Sequence, residues 1–281
     1  MIQKFKIIMN ILIMNINILF CGGSYEILNI SSDARSLSLY GSAESVDSYY
    51  LKNNPANLSI RSIGKKYTYL MFPTGINFGS YQSIINKKYY LQAVKIELLN
   101  YGEIIDSKTL TNFHSFDFLI EYAYKKIIKN NFSSGAKAGF LYSSIANYNS
   151  YLCYSNLGIR SHMYNKKLGF GFSLENIGWI LNSYTNYKER LPSQVRIAIH
   201  FTPQYLPILI SSDFIKPINS NLIYFNGGLE FINVKSISIR LGITSNKYNY
   251  SNNNFYSDIF YGLSTGIGFK IKKMNVDIVL T

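Results

Sequence analysis

The chain has 281 residues, a length that suits one large domain or two small ones. It is 47% hydrophobic and 16% aromatic, with only 15% charged residues and a formal net charge of +13, whereas a soluble domain typically carries about 25% charged residues. After residue 23 no stretch approaches the roughly 18 uninterrupted apolar residues of a membrane helix, which sets aside a helical membrane protein.

At the amino terminus, Lys4 and Lys6 precede an apolar run from Ile7 to Phe20, and Cys21-Gly22-Gly23-Ser24 supplies small residues. A basic start, a short apolar middle and a small-residue cleavage site make a secretory signal over residues 1–23. Acylation of Cys21 is the alternative, but Phe20 is bulky for the position before a lipidated cysteine. Cleavage after Gly23 removes Lys4 and Lys6 and lowers the net charge from +13 to +11. It also leaves Cys153 as the single cysteine, so packing and hydrogen bonds must hold the fold without an intramolecular disulfide. The basic balance fits attraction to lipopolysaccharide or anionic lipid, or the composition of an AT-rich coding sequence.

Residues 33–59, "DARSLSLYGSAESVDSYYLKNNPANLS", have no clean helical or strand period. Small side chains (Ala34, Ser36, Ser38, Gly41, Ser42, Ala43) suit close packing inside a lumen, and Asn54-Pro55 stops any helix. Residues 24–64 are therefore read as a plug or lid segment and residues 65–281 as a wall of strands, with no linker and no second domain.

From there the alternation has period two. In "LGFGFSLEN", Leu168, Phe170, Phe172 and Leu174 alternate with Gly169, Gly171, Ser173 and Glu175. In "QVRIAIHFT", Val195, Ile197, Ile199 and Phe201 alternate with Arg196, Ala198, His200 and Thr202. "KSISIRLGIT" and "GLSTGIGFKI" repeat the pattern, with Arg240, Gly266 and Lys270 on the face opposite Ile239, Leu241 and Ile267. Each stretch is a strand with one apolar face and one small or polar face. The second face carries glycine, serine and alanine with single charges, as the inside of a transmembrane antiparallel β-barrel requires; lipid forces every backbone group to bond within the protein. Thirteen candidate segments lie between residues 66 and 281, an estimate of about 12–14 strands, with an even count expected. Segment 99–113 reads equally as strand, loop or part of the plug, and "WILNSYTNYKERLP" reads as a long connection.

"ARSLSLYGSAESVDSYYLKNNPANL" resembles the amino-terminal signature of PorV/PorQ-type outer-membrane proteins, relatives of FadL-like barrels. That signature runs approximately Ala-Arg-x-Leu-x-x-Gly-Gly-Ala, then an acidic stretch, then Asn-Pro-Ala-Gly-Leu. Ala34, Arg35, Leu37, Gly41, Asn54, Pro55 and Ala56 match it; Tyr40 replaces one glycine, and Asn57 replaces another at an expected tight turn. "LGFGFSLENIG" and "ERLPSQVRIAI" are similar to two later strands of the family. Thr281 stands where a terminal aromatic is common, while Ile278 and Leu280 keep the strand pattern.

The resemblance implies a non-enzymatic barrel in the outer membrane of a Gram-negative-type bacterium, in contact with outer-membrane lipid and lipopolysaccharide. It implies two roles: an accessory to type IX-like protein secretion, with translocon components or secreted cargo as partners, or a FadL-like channel for hydrophobic small molecules. A soluble secreted β-sandwich or adhesin is the reading from a different class.

Other chemistry is not indicated. His114, His162 and His200 lack metal-ligand spacing, no phosphate loop or nucleophile elbow occurs, and basic residues are not clustered with aromatics as a nucleic-acid surface needs. No catalytic residue, metal or cofactor is assigned. The polar faces carry Glu97, Asp117, Glu121, Glu175, Asp213 and Glu230 with Arg196, Arg240 and Lys270. These charges either pair and rigidify a closed lumen or line a permeation path.

Overall fold

The computed structural model describes residues 25–280 except 32, 49, 61–62, 73–74, 88–89, 106–110, 130, 186–188, 235–236, 247–261 and 272–273. The proposed signal over residues 1–23 lies outside the described residues.

Thirteen strands follow one another in the wall: β1 (Gly64–Met71), β2 (Asn77–Lys87), β3 (Tyr90–Ile105), β4 (Asn112–Lys129), β5 (Phe132–Ile145), β6 (Tyr148–Met163), β7 (Leu168–Asn182), β8 (Gln194–Phe201), β9 (Ile208–Pro217), β10 (Tyr224–Val234), β11 (Ile237–Thr244), β12 (Leu263–Ile271) and β13 (Met274–Leu280). They form one sheet in sequence order, each antiparallel to the next. The fold is all-β, a transmembrane antiparallel barrel with a non-strand segment before β1.

The apolar faces point outward. Ile239, Leu241 and Ile267 are 46%, 43% and 45% exposed, while Arg240 is buried among lumenal side chains. Water would penalise such a band of isoleucine, leucine and phenylalanine, and lipid would not.

Two expectations need correction. Among the described residues the count is thirteen, within the estimate of 12–14 but not even. β11 pairs directly with β12 through Ile239↔Ile267 and Leu241↔Thr265. Twelve antiparallel steps, an even number, separate β1 from β13, so the two run in the same direction. The stretch Trp179–Asn182 was expected in a long connection but belongs to β7. A register shift between Ser155 and Leu157 on β6 lets both Glu175 and Asn176 turn inward, with Asn176 at φ 57°, and the strand then continues. Segment 99–113, open between strand, loop and plug, is strand at both of its ends: β3 runs to Ile105 across a bulge between Asn100 and Glu103, and β4 begins at Asn112.

Within the wall lies the amino-terminal segment. A 3-10 turn at Glu26–Leu28 precedes α1 (Ala34–Ser38), and a second 3-10 turn covers Pro55–Asn57. Asp33 caps α1 by accepting from the Ser36 amide at 2.9 Å and from its hydroxyl at 2.6 Å. Pro55 opens the second turn, where its missing N–H costs nothing, and Asn54 is extended at φ −88°, ψ 102°, as a residue before proline prefers. α1 packs against β11, β12 and β13, and the second 3-10 turn against β4, β5 and β6. Tyr50 lies under the Lys66 ammonium of β1, 5.2 Å from its ring centre. One short segment thus meets both ends of the sheet, which is possible because the sheet curls around it.

Candidate functional site

The lumen and the segment that occupies it bring together the chemistry of this chain. Close approach comes first from glycine. A Cβ on Gly135 of β5 would stand 2.7 Å from the Ala56 nitrogen, and one on Gly242 of β11 would stand 2.6 Å from the Leu39 carbonyl carbon. Both distances are too short for a side chain, so the wall meets the segment's backbone directly at these points.

The segment's exposed peptide groups then find partners on the wall. The Leu51 amide donates to Gln82 of β2 at 2.8 Å. Lys125 of β4 donates to the Leu58 carbonyl at 2.6 Å, Ser133 of β5 to Ala56 at 3.1 Å and Asn156 of β6 to Asn53 at 3.0 Å. Such a loop buried without partners would leave costly orphan groups, so inward polar residues on the strands are a structural requirement.

Charge completes the docking at three places. Arg35 on α1 donates from Nε to Glu230 of β10 at 3.0 Å; Arg240 of β11 donates to the same carboxylate at 2.7 Å and to Asp277 of β13 at 2.6 Å. Two cations and two anions balance. Arg196 of β8 reaches Glu175 at 3.0 Å, Asp213 at 3.2 Å and the Gly41 carbonyl at 3.2 Å. Asp213 in turn accepts from the amides of Ala43 at 3.1 Å and Glu44 at 3.3 Å. Asp47 pairs with Arg160 of β6, which also donates to the Ser45 carbonyl at 2.6 Å. Burial would raise the Asp47 carboxyl, but the Arg160 guanidinium outweighs it and holds the group below the usual carboxylate range. His200 of β8 bonds Ser45 at 3.0 Å and stands edge-on to His162, 5.7 Å between ring centres.

A fourth cluster belongs to the wall alone. Glu121 of β4 binds Lys95 of β3 at 2.7 Å and Lys137 of β5 at 2.6 Å, and Lys95 also reaches Glu97 at 3.0 Å. Tyr154 of β6 donates to Glu121. The group is neutral overall and deeply buried, as charges away from water must be.

Among the residues singled out from sequence, Arg35, Gly41, Asn54, Pro55 and Ala56 all touch the wall, whereas Ala34 and Leu37 are half-buried on α1. Glu175, Arg196 and Arg240 share the lumen in two separate ion networks. Lys270 sits on β12 opposite Asn275, and its side chain lies outside the described residues. The tight left-handed turn expected at Asn57 is absent: it lies in the 3-10 turn and is not among the residues with positive φ. Its amide instead donates to the Glu44 carboxylate at 2.9 Å. Sequence reasoning missed Lys95, Lys137, Arg160, Glu44 and Asp47. Parity along the strands placed the first three inward, and for Lys95 and Lys137 the inward Glu97 and Glu121 were the usable signal. Among the described residues, no group of three or more histidines, cysteines or carboxylates is placed to hold a metal ion.

At the end of the barrel bearing the 183–193 connection, a row of leucines runs across the inner surface beside buried Asp117 and Ser143. Leu99, Leu119, Leu141 and Leu152, from four consecutive strands, pack against Tyr25, Ile27 and Leu28. The Tyr25 hydroxyl bonds Ser150 at 2.6 Å, and burial pushes this phenol above its ordinary pKa, keeping it neutral.

The fold has a solved counterpart. The toluene transporter TbuX of Ralstonia pickettii superposes with a TM-score of 0.59 over 88% of this chain and 91% of its own length, at 10% identity. The likeness is one of fold: a β-barrel. No family model matches the chain. No curated protein matches it either.

Proposed function

We propose that this chain is an outer-membrane barrel of FadL-like kind, which admits hydrophobic small molecules and is held shut by its amino-terminal segment. The observation that carries the reading is the inward row of Leu99, Leu119, Leu141 and Leu152, covered by Tyr25, Ile27 and Leu28. A lumen that only needed filling could be lined with paired polar groups, as the neighbouring layer around Glu121 is. Leucines on the inner wall pay off when a hydrophobic solute replaces the covering segment. The counterpart of like fold is a toluene transporter, which accords with such a solute.

Removing residues 25–56, which takes out Tyr25, Ile27 and Leu28 with the rest of the segment, tests this. The wall's ladders run from strand to strand without the segment, so the shortened chain should still shift in heat-modifiable gel mobility. It should conduct more in planar bilayers and bind a dansyl-labelled fatty acid more tightly than the full chain. A folded deletion variant with unchanged conductance and no fatty-acid binding would sink the reading.

A secretion-accessory role is the second reading. It is supported by the matching motif residues, of which Arg35, Asn54, Pro55 and Ala56 make the segment's contacts with the wall. Affinity capture from native membranes should then recover translocon components or secreted proteins, with no fatty-acid binding above a control barrel.

A further inference from the structure

The outer wall is not uniformly studded. Along β5 the outward residues Ser134, Ala136 and Ala138 are consecutive on one face and small, and the neighbours of Ser134 and Ala136 on both adjacent strands are large. Tyr122 and Tyr124 of β4 flank them on one side, and Leu157 and Ile159 of β6 on the other. A groove of about 460 Å³ results, with Ser134 and Ala136 in its floor and Tyr124, Leu157, Ile159 and Phe172 in its walls. The two floor residues lie about 7 Å apart at the rise of a β-strand, in line with the strand and hence with lipid chains crossing the same layer.

Lys126 stands at the groove's mouth, opposite Ser134 and two residues beyond Tyr124. Its side chain is exposed and enters no ion pair among the described residues. Lys129 lies at the end of the same strand and is also exposed. Tyr124 and Tyr90 form an aromatic pair at this level, ring centres 5.3 Å apart. Aromatic rings beside cations mark the depth where headgroups meet hydrocarbon.

We infer that the groove is a specific site for one anionic phospholipid, its acyl chain along β5 and its phosphate on Lys126. The cation supplies charge complementarity at one end, the small-residue floor supplies apolar contact below it, and the two are collinear. This end carries the short connections 129–132 and 163–168, which in outer-membrane barrels face the periplasm. The leaflet there is phospholipid, so a phospholipid rather than lipopolysaccharide is the occupant. The inference rests on the wall facing lipid and not on what passes through the lumen.

Native mass spectrometry of the detergent-purified full chain tests it, with phosphatidylglycerol, phosphatidylcholine of the same chains and lipid A as probes. Wild type should retain one phosphatidylglycerol in preference to the other two. Ala136→Leu, which fills the floor at an exposed position, should lose it, while Thr265→Leu on the outward face of β12 should not. Lys126→Gln should weaken phosphatidylglycerol about fivefold, the worth of one lysine at an anionic surface, and leave phosphatidylcholine unchanged. Equal binding by Ala136→Leu and Thr265→Leu would overturn the site, as would preference for lipid A. If Ala136→Leu does not show the folded gel mobility, the lysine variant decides: unchanged phosphatidylglycerol affinity refutes the proposal.

Discussion

Removing the guanidinium of Arg35 isolates the strength with which the amino-terminal segment is held. In the native arrangement Arg35 and Arg240 share Glu230, and Arg240 also binds Asp277. Arg35→Ala leaves one cation against two carboxylates in a group whose arginine and glutamate side chains are nearly inaccessible to water. Breaking a buried pair outright costs about 3–5 kcal/mol, but Glu230 keeps Arg240, so the loss is closer to a charged hydrogen bond, about 2 kcal/mol. That shifts docking about 30-fold toward the undocked form, since about 1.4 kcal/mol is a factor of ten. Labelling reads this population directly. Ser38 is fully buried on α1 next to Gly266, so Ser38→Cys, in a Cys153→Ala background, reacts with a water-soluble maleimide only when α1 leaves the wall. The rate should rise about 30-fold with Arg35→Ala, and Arg35→Lys should fall between. A Glu230→Gln cycle should show coupling with Arg35 beyond the single effects. A labelling rate unchanged by Arg35→Ala, in protein that retains folded gel mobility, would refute the anchoring role.

Two further outcomes follow from the geometry. Ile239 faces lipid and Ser238 the lumen, so Ile239→Arg should cost about 2–4 kcal/mol in vesicle unfolding and Ser238→Arg much less; equal losses would contradict the assignment of faces. Asp47 has a lowered carboxyl pKa when paired with Arg160, so the docked form holds the proton less tightly than the undocked form. Its contribution is therefore complete above the ordinary carboxylate value of about 4 and is lost as the pH falls below that. Single-channel open probability should rise on acidification from about pH 6 to about pH 3, and Asp47→Asn should flatten that part of the curve; identical curves would remove Asp47 from the docking.

The local pattern determined much of this protein. Side-chain direction reverses at every residue of a strand, so "KSISIRLGIT" by itself places Ile239 and Leu241 on one face and Arg240 on the other. The same rule ordered thirteen strand segments and set glutamates and arginines inside. The capping of Asn54 before Pro55 is equally local, a matter of two adjacent residues. What the alternation could not supply is who meets whom across the lumen. Arg35 finds Glu230 195 positions later, and Arg160 finds Asp47 113 positions earlier. Those pairs depend on the stagger of every intervening strand and on the course of a segment with no period. The bulge opposite Glu175 and Asn176 shows the same limit: one residue gained on β7 changes the inward face beyond it and carries the strand to Asn182. The groove over β5 is likewise tertiary, since Ala136 is an ordinary small residue until Tyr124 and Leu157 stand beside it. Strand parity is fixed residue by residue, whereas register and curvature are fixed only when the sheet wraps around the segment.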